Sequence, residues 1–409
     1  MPASVFISGT GIITAIGNNT GEVFGSLKAC RSGIGPILCQ DTIHRGKIPV
    51  ASVKRTTEEL LRSTLHPEGS VITRTALLGM TAAMEAIENA GIRHLVKSAT
   101  GLISATTTGG MDRSEHFFAS FLQDPGKGRL RDVVHHDCGE STERIAGYTG
   151  IRDFVTTIST ACSSSANAIM LGAELIRAGF LERVVAGGTD AMTRFTLNGF
   201  NTLMILDKDG CKPFDENRAG LTLGEGAAYL VLESERSLQE RGGEPLAELT
   251  GWGNANDAFH QTASSPEGTG ATLAMERAIA LSGLTPAGIS YINVHGTGTQ
   301  NNDLSEGTAI EKVFGKTTPP FSSTKSYTGH TLGAAGSVEA VISILSILHG
   351  MIFPNLNWTT PMKELSLRPV TTLLTGLKIN TVLSNSFGFG GNNSTLIFSN
   401  PSILSDHRA

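Results

Sequence analysis

Two periodicities alternate along this chain. Short β-branched or apolar runs ending in glycine or hydroxyl residues predict strands, and longer amphipathic stretches predict helices. Residues 5–11 (VFISGTG) form a strand running into a glycine turn, and 247–253 (AELTGWG) have the same character. Residues 82–92 carry apolar positions at helical spacing and end at Gly91, while 273–284 mirror them and end at Gly283. GLISATTTGG at 101–110 parallels ISYINVHGTGT at 289–299. Residues 154–159 predict a buried strand, followed by a small-residue helix over 163–179; the segment 325–330 followed by 334–348 has the same plan. Residues 220–233 and 388–399 close the two series. The pattern predicts two similar halves, 1–243 and 244–409, meeting at the polar turn around Gly242-Gly243-Glu244-Pro245. Alternation of strand and helix implies mostly parallel sheets covered by helices, with the small-residue helices between layers. Residues 112–148 are the least regular stretch.

Composition narrows the class. With 409 residues, 40% of them hydrophobic, the chain has ample material for a large core. Only 17% of residues are charged and 48 are glycine, as in a heavily buried enzyme or oligomer. A net charge of -5 without a dense Lys/Arg stripe argues against nucleic-acid binding. The longest apolar run, 341–348, ends at His349 and falls short of the roughly 18 residues of a membrane span. The first residues lack a basic region followed by an apolar stretch, so no signal peptide is expected and a cytoplasmic location is. The five cysteines are Cys30, Cys39, Cys138, Cys162 and Cys211, an odd number with no CxxC pair, so neither a disulfide framework nor a metal site is expected.

Cys162 differs from the other four, which read as inert. It follows the strand at 154–159 and precedes the helix at 163–179. Unpaired N–H groups and the dipole at a helix start favour a thiolate there and an oxyanion beside it. His295 follows a strand and precedes Gly-Thr-Gly-Thr, where glycine lets backbone approach a substrate and Thr297 and Thr299 offer hydroxyls. Asp303 is a supporting partner eight residues on. His330 lies in a second glycine-flanked turn. Glu339 falls inside an apolar helix, and a buried carboxylate needs a partner, which predicts an ion pair with Lys325. The turn Phe387-Gly388-Phe389-Gly390-Gly391 supplies an oxyanion N–H and a moving aromatic side chain. One cysteine and two histidines so placed suit acyl transfer through a thioester. Gly9-Thr10-Gly11 is not a dinucleotide fingerprint, because residue 14 is Thr14, and the pair His135-His136 near Cys138 lacks ligand spacing and reads as loop.

TACSSS at Cys162, VHGTGT at His295, SSTKSYTGH ending at His330 and SNSFGFGG ending at Gly391 together resemble the β-ketoacyl-acyl-carrier-protein synthases, over about residues 3–399. The resemblance implies an α/β thiolase-like fold, two pseudo-repeated halves in a five-layered α-β-α-β-α arrangement, usually dimeric. It implies a Cys162–His295–His330 triad that takes an acyl group from acyl carrier protein and condenses it with malonyl-carrier protein as CO₂ leaves. Within it, the N–H groups of Cys162 and Phe389 form the oxyanion hole, and Thr297 and Thr299 contact the phosphopantetheine arm carried by the partner. Phe387 and Phe389 line the substrate site, and Lys325, Glu339 and Asp303 support it. No cofactor on the chain itself is implied.

Departures from the pattern are Asn392, where threonine is usual, Ala219, where aspartate is common, and the stretch between Met111 and Gly147. Thr106-Thr107-Thr108 stands where apolar residues often close the pocket floor, which makes Thr108 a candidate substrate contact and points to a specialised polyene or polyketide chain. The partners implied are acyl carrier protein and a second subunit, either the same chain or a chain-length-factor-like one. A non-catalytic chain-length factor is the alternative reading, although such proteins usually lack the cysteine. A degradative thiolase would carry a second cysteine near its end, and none follows Cys211. Lys54, Arg55, Arg62 and Arg74 are candidates for a basic patch facing the acidic carrier.

Overall fold

Glycine placement explains how the helices sit on the sheets. In the computed structural model, which describes residues 4–37, 42–67, 69–92 and 98–402, the strand Val5–Thr14 carries Gly9 and Gly11 beneath the helix Arg74–Asn89. A Cβ added at Gly11 would lie 2.0 Å from the Ala82 carbonyl oxygen. In the second half Gly253 stands under the helix Thr269–Ser282, and a Cβ there would lie 2.3 Å from the Ala274 oxygen. Each helix therefore rests on bare strand backbone, at the same point of the two halves.

The described residues form twelve strands: β1 Val5–Thr14, β2 Gly35–Pro36, β3 Pro49–Val50, β4 Thr100–Ala105, β5 Phe154–Ile158, β6 Arg183–Asp190, β7 Gly226–Ser234, β8 Ala247–Asn256, β9 Tyr291–Asn293, β10 Phe321–Ser322, β11 Thr381–Gly388 and β12 Asn392–Ser399. Apart from the small β2–β3 pair, they follow the order β10-β9-β11-β12-β8-β1-β7-β6-β4-β5. Only Phe6 opposite Glu248 and Ile7 opposite Ala247 join β1 to β8. On either side of that seam the strands, counted along the chain, run 3-2-4-5-1. In each set the first three positions are parallel, and the last two connections are antiparallel.

Helices Ser164–Arg177 and Ala335–His349 lie between the two sheets. Helix Arg74–Asn89 covers the outer face of one sheet, and Thr269–Ser282 with Gln300–Phe314 covers the other. The result is the α-β-α-β-α layering of a thiolase-like protein. The central helix around Ala335–His349 is buried over Ala335–Ile347. Among the described residues, Leu332–His349 is the one helical run long and apolar enough to cross a membrane, and 89% of it is buried in this core. The apolar run at 341–348 was thus only its C-terminal part.

Other elements differ from the sequence expectations in instructive ways. Helix 82–92 begins eight residues earlier, because the Thr73 side chain caps it by accepting from the Ala76 N–H. Strand β5 is an edge strand with all five residues half-buried, not a fully buried one. The stretch 112–148 holds two helices, Met111–Gln123 and Cys138–Thr149. His135 and His136 fall in the loop between them, whereas Cys138 opens the second helix. Cys39 lies outside the described residues.

Replacing Gly11 with valine should force the helix Arg74–Asn89 off β1. We expect a loss of at least about 2 kcal/mol in urea unfolding, at the upper end of overpacking costs; an unchanged midpoint would contradict the close approach.

Candidate active site

Cys162 sits in a turn that costs backbone strain. Ala161 before it has φ of +53°, in the left-handed region that side chains rarely adopt. The Ser164 hydroxyl holds the turn by accepting from the Thr160 N–H at 2.8 Å and donating to the Ala161 carbonyl at 2.5 Å. Ser163 then stands at the start of the helix Ser164–Arg177, with no side-chain cap hydrogen bond. The second half repeats the device: Leu332 has φ of +53°, two residues after His330, and the helix Ala335–His349 follows. By this register Gly333 is the counterpart of Cys162.

A cavity of about 320 Å³ brings the predicted residues together. Cys162, His295, Thr297, Thr299, His330, Phe387 and Phe389 all line it. The two imidazole rings are 5.3 Å apart, edge to face, and Phe387 lies 5.9 Å from His295. Phe389 lies nearly parallel to Phe200 at 5.9 Å; Phe200 and the exposed Met204 also line the cavity, and sequence reasoning singled out neither. Ala219 lies on the wall as well.

Lys325 organises the site from behind. Its ammonium pairs with the Glu339 carboxylate, donates to the His295 carbonyl at 2.6 Å and sits 3.2 Å from His295 Nδ1. An ammonium can only donate, so Nδ1 accepts and the ring proton stays on Nε2. His330 is fixed in the same sense, because its Nδ1 accepts from the Leu332 N–H at 3.3 Å. Burial and then the Lys325 charge hold both histidines well below the usual range, so both are neutral. Burial pushes Glu339 up to about 7, with Lys325 pulling the other way.

The thiol departs from the sequence expectation. A helix start was expected to favour the thiolate, yet burial pushes Cys162 up to about 11, against the lowering by Lys325 and by a hydrogen bond from the Phe389 N–H. Desolvation wins because this sulfur is enclosed and its compensating charge is shared with Glu339. At rest Cys162 is a thiol.

Two carboxylates shape the His295 loop. Asp303 accepts from the N–H groups of Thr297, Gly298 and Phe214. Glu306 accepts from the N–H groups of His295 at 2.9 Å and Gly296 at 2.8 Å and from the Asn385 amide at 3.0 Å. Burial pushes Glu306 up to about 7. Sequence reasoning missed Glu306, although its place one helical turn after Asp303 was the available signal.

Two expectations meet other geometry. Thr108 does not line the cavity; its hydroxyl donates to Asp190 at 2.8 Å. Asp190 also accepts from the Thr106 and Thr107 hydroxyls, the Thr107 and Thr108 N–H groups and the Gly333 N–H. The threonine run satisfies a buried carboxylate. Arg74 pairs with buried Glu225 at 2.7 Å and donates to the Val53 and Arg55 carbonyls, so it belongs to the interior, whereas Lys54 and Arg62 are exposed. Among the described residues no group of three or more His, Cys, Asp or Glu side chains has the arrangement of a metal site.

Layers and strand order define a thiolase-like scaffold, and its cavity combines a cysteine with two neutral histidines. Within that class the chain belongs to the beta-ketoacyl synthase family: residues 3–237 match the model of its N-terminal domain and 246–359 that of its C-terminal domain. A 3-oxoacyl-[acyl-carrier-protein] synthase 2 of Staphylococcus aureus is 40% identical over 247 residues, a match spanning 58% of this chain and 61% of that protein. Nodulation protein E of Rhizobium meliloti (strain 1021) is 32% identical over 404 residues, 97% of this chain and 99% of that one. Among solved structures, a chain of the ishigamide ketosynthase/chain length factor superposes with a TM-score of 0.92 at 30% identity, covering 98% of this chain and 99% of that chain.

Two measurements test this geometry. Lys325→Met strands Glu339 without its partner, and denaturant unfolding should register a loss of about 3–5 kcal/mol. The second concerns acid. A histidine held low in the fold binds fewer protons than in the unfolded chain, so its contribution is full above about pH 6.5 and is lost as pH falls below that. On acidification below about pH 6.5 the wild type should therefore lose thermal stability more steeply than a His295→Ala/His330→Ala variant. Parallel curves would contradict the burial of neutral imidazoles.

Proposed function

We propose that this chain is a 3-oxoacyl-[acyl-carrier-protein] synthase, an acyltransferase that joins an acyl group held on Cys162 to malonyl-carrier protein with loss of CO₂. The observation that carries this reading is the meeting of Cys162 with two neutral histidines, each with its proton on Nε2, on one cavity. In the first step the Cys162 sulfur bonds to the acyl carbon and the carrier's sulfur leaves. The proton lost by Cys162 equals the one gained by the departing thiol. In the second, the malonyl carboxylate leaves as CO₂ and its bonding electrons pass to the thioester as an enolate. The Nε2–H groups of His295 and His330 are the donors we assign to that enolate oxygen, because neutral donors in a dry site stabilise developing charge without first losing a proton. The enolate carbon then attacks the acyl-Cys162 carbon, whose oxygen we place against the N–H groups of Cys162 and Phe389. Collapse releases the 3-oxo product and a Cys162 thiolate that regains a proton. Covalent capture makes the carbon–carbon step effectively intramolecular.

Thr297 and Thr299, hydrogen-bonded to each other at 2.9 Å on the cavity wall, are assigned to the phosphopantetheine arm, the prosthetic group the carrier brings. The acidic carrier is the partner this reading requires, and the basic patch assigned to it is Lys54, Arg55 and Arg62. In this reading the half 1–243 supplies the nucleophile and 244–409 supplies both histidines. A second chain of the same fold, identical or chain-length-factor-like, is part of the proposal. The half-exposed edge strand β5 and the exposed Phe118, Leu122, Leu130 and Val134 support it, because the single chain leaves them uncovered. The cytoplasm is the inferred compartment, in keeping with four free cysteines among the described residues. The relatives include a 3-oxoacyl-[acyl-carrier-protein] synthase 2, a nodulation protein and an ishigamide ketosynthase/chain length factor, and the proposal covers condensation on fatty-acid or polyketide chains.

Intact mass spectrometry tests the reading. Acyl-carrier protein should transfer its acyl mass to the wild type and not to Cys162→Ala. Malonyl-carrier protein should then yield a 3-oxo product two carbons longer, at a rate at least ~10²-fold lower in His295→Ala or His330→Ala. Absence of acylation with every chain length tried would favour a non-catalytic chain-length factor.

A further inference from the structure

Asn392 follows directly on the Phe389-Gly390-Gly391 turn and opens strand β12. Its side-chain oxygen gathers donors from both halves of the chain. The Asn167 amide donates to it at 2.9 Å from the first turn of the helix Ser164–Arg177, and the Asn254 amide donates at 2.9 Å from β8. The Ser163 hydroxyl stands 2.7 Å away and 2.8 Å from the Thr160 carbonyl, sharing one proton between the two acceptors. Ser163 is the residue next to Cys162. The Asn167 amide also reaches Thr160 Oγ1 at 2.8 Å, so both residues flanking the Ala161–Cys162 pair are tied to one acceptor network.

The glycine turn on the other side of that oxygen is packed against the nucleophile. A Cβ at Gly388 would lie 3.0 Å from the Thr160 carbonyl and 3.1 Å from the Cys162 nitrogen. The Phe389 N–H faces the nucleophile closely enough to lower the Cys162 thiol. Strand β11 ends at Gly388 and β12 starts at Asn392, so the short turn between them is held by its two ends. Asn392 is the end that grips the nucleophile's helix. A threonine offers one hydroxyl oxygen, which must also place its own proton, whereas the amide oxygen serves three donors without donating.

We infer that Asn392 is a positioning residue, which aligns the Phe389 N–H with the carbonyl under attack at Cys162 by anchoring the 387–391 turn to the start of the nucleophile's helix. The inference rests on the proposed function above, since it assigns Asn392 a part in acyl transfer. It separates two reactions of one sulfur. Both reactions need the thiolate, which the Phe389 N–H favours modestly; attack on a thioester needs in addition an N–H aimed at the developing oxyanion, whereas alkylation by iodoacetamide forms no oxyanion.

The test compares those two reactions in the full-length protein. In Asn392→Leu, similar in size but without an acceptor, acylation of Cys162 by acyl-carrier protein should fall at least ~30-fold, somewhat less than the ~10²–10³-fold for outright loss of one oxyanion donor. Alkylation of Cys162 by iodoacetamide, followed by intact mass, should change less than about threefold, because no oxyanion forms there. Asn392→Asp keeps the acceptor and should restore most of the acylation rate, with a pH profile shifted upward by the charge placed near the thiol. Equal losses in both reactions, or no loss in either, would overturn the inference. If Asn392→Leu does not fold, Asn392→Ala, which also removes the acceptor, decides by the same two reactions: equal losses in both, or no loss in either, would overturn it. A wild type that alkylates at Cys162 but accepts no acyl group from any carrier would strike the proposed function itself, and this inference with it.

Discussion

Lys325 is the constraint on which the site depends. A buried ammonium has three protons and must place each one. Here they go to Glu339, to the His295 carbonyl and to His295 Nδ1. The first partner offsets the charge and the second fixes the loop. The third decides which histidine nitrogen carries the proton. The same charge acts on His330 and on the Cys162 thiol. Removing one cation would alter loop, tautomer and charge balance together, so these properties are not independently tunable. Glu339 belongs to the central helix between the sheets. The electrostatics of the site are thereby rooted in the most buried helix of the fold.

The two halves use one chain plan for different ends. Strained residues precede the central helices in both, with Ala161 ahead of Cys162 and Leu332 ahead of Gly333. Loops following β4 and β9 approach these turns in both halves. In the second half the loop carries His295 and is shaped by Asp303 and Glu306; in the first it carries Thr106, Thr107 and Thr108, all bound to Asp190. Asp190 also accepts from the Gly333 N–H at 2.7 Å, so the place opposite the reactive site holds a fixed carboxylate with its donors satisfied. One end of the pseudo-symmetric pair carries Cys162, and the other serves as rigid support for the His330 turn.

Much of this was legible along the chain because it rests on local order. Strand, tight turn and helix around Cys162, the glycine-flanked histidines, and a glutamate in an apolar helix are patterns of neighbouring residues. What was not legible depends on long-range burial. Thr108 looked like a pocket wall until its partner Asp190, 82 residues on, was in place. Arg74 looked like surface charge until Glu225, 151 residues on, came beside it. Strand β5 has the apolar content of an interior strand, but its position at the sheet edge follows from strand order, which periodicity does not encode. The Cys162 thiol was judged by its helix, whereas its titration is governed by the loss of water around it.

That last difference bears on how the chemistry proceeds. A thiol near 11 beside two histidines whose Nδ1 atoms are already engaged has no strong base in hydrogen-bond contact. For acyl exchange between two thiols this is no obstacle, because the proton released by one sulfur is the proton required by the other. In the proposed reaction the demand falls instead on the negative oxygen that appears as each bond forms, and neutral N–H donors held among buried side chains are suited to that demand. Burial therefore costs the resting thiolate and strengthens every donor around it. A more exposed cysteine would ionise more readily, but its oxyanion would be held by weaker hydrogen bonds and the enolate formed in the second step would meet water. The same enclosure that raises the thiol also keeps both imidazoles neutral, so a single physical cause sets the protonation of all three groups in the form that the proposed condensation would use.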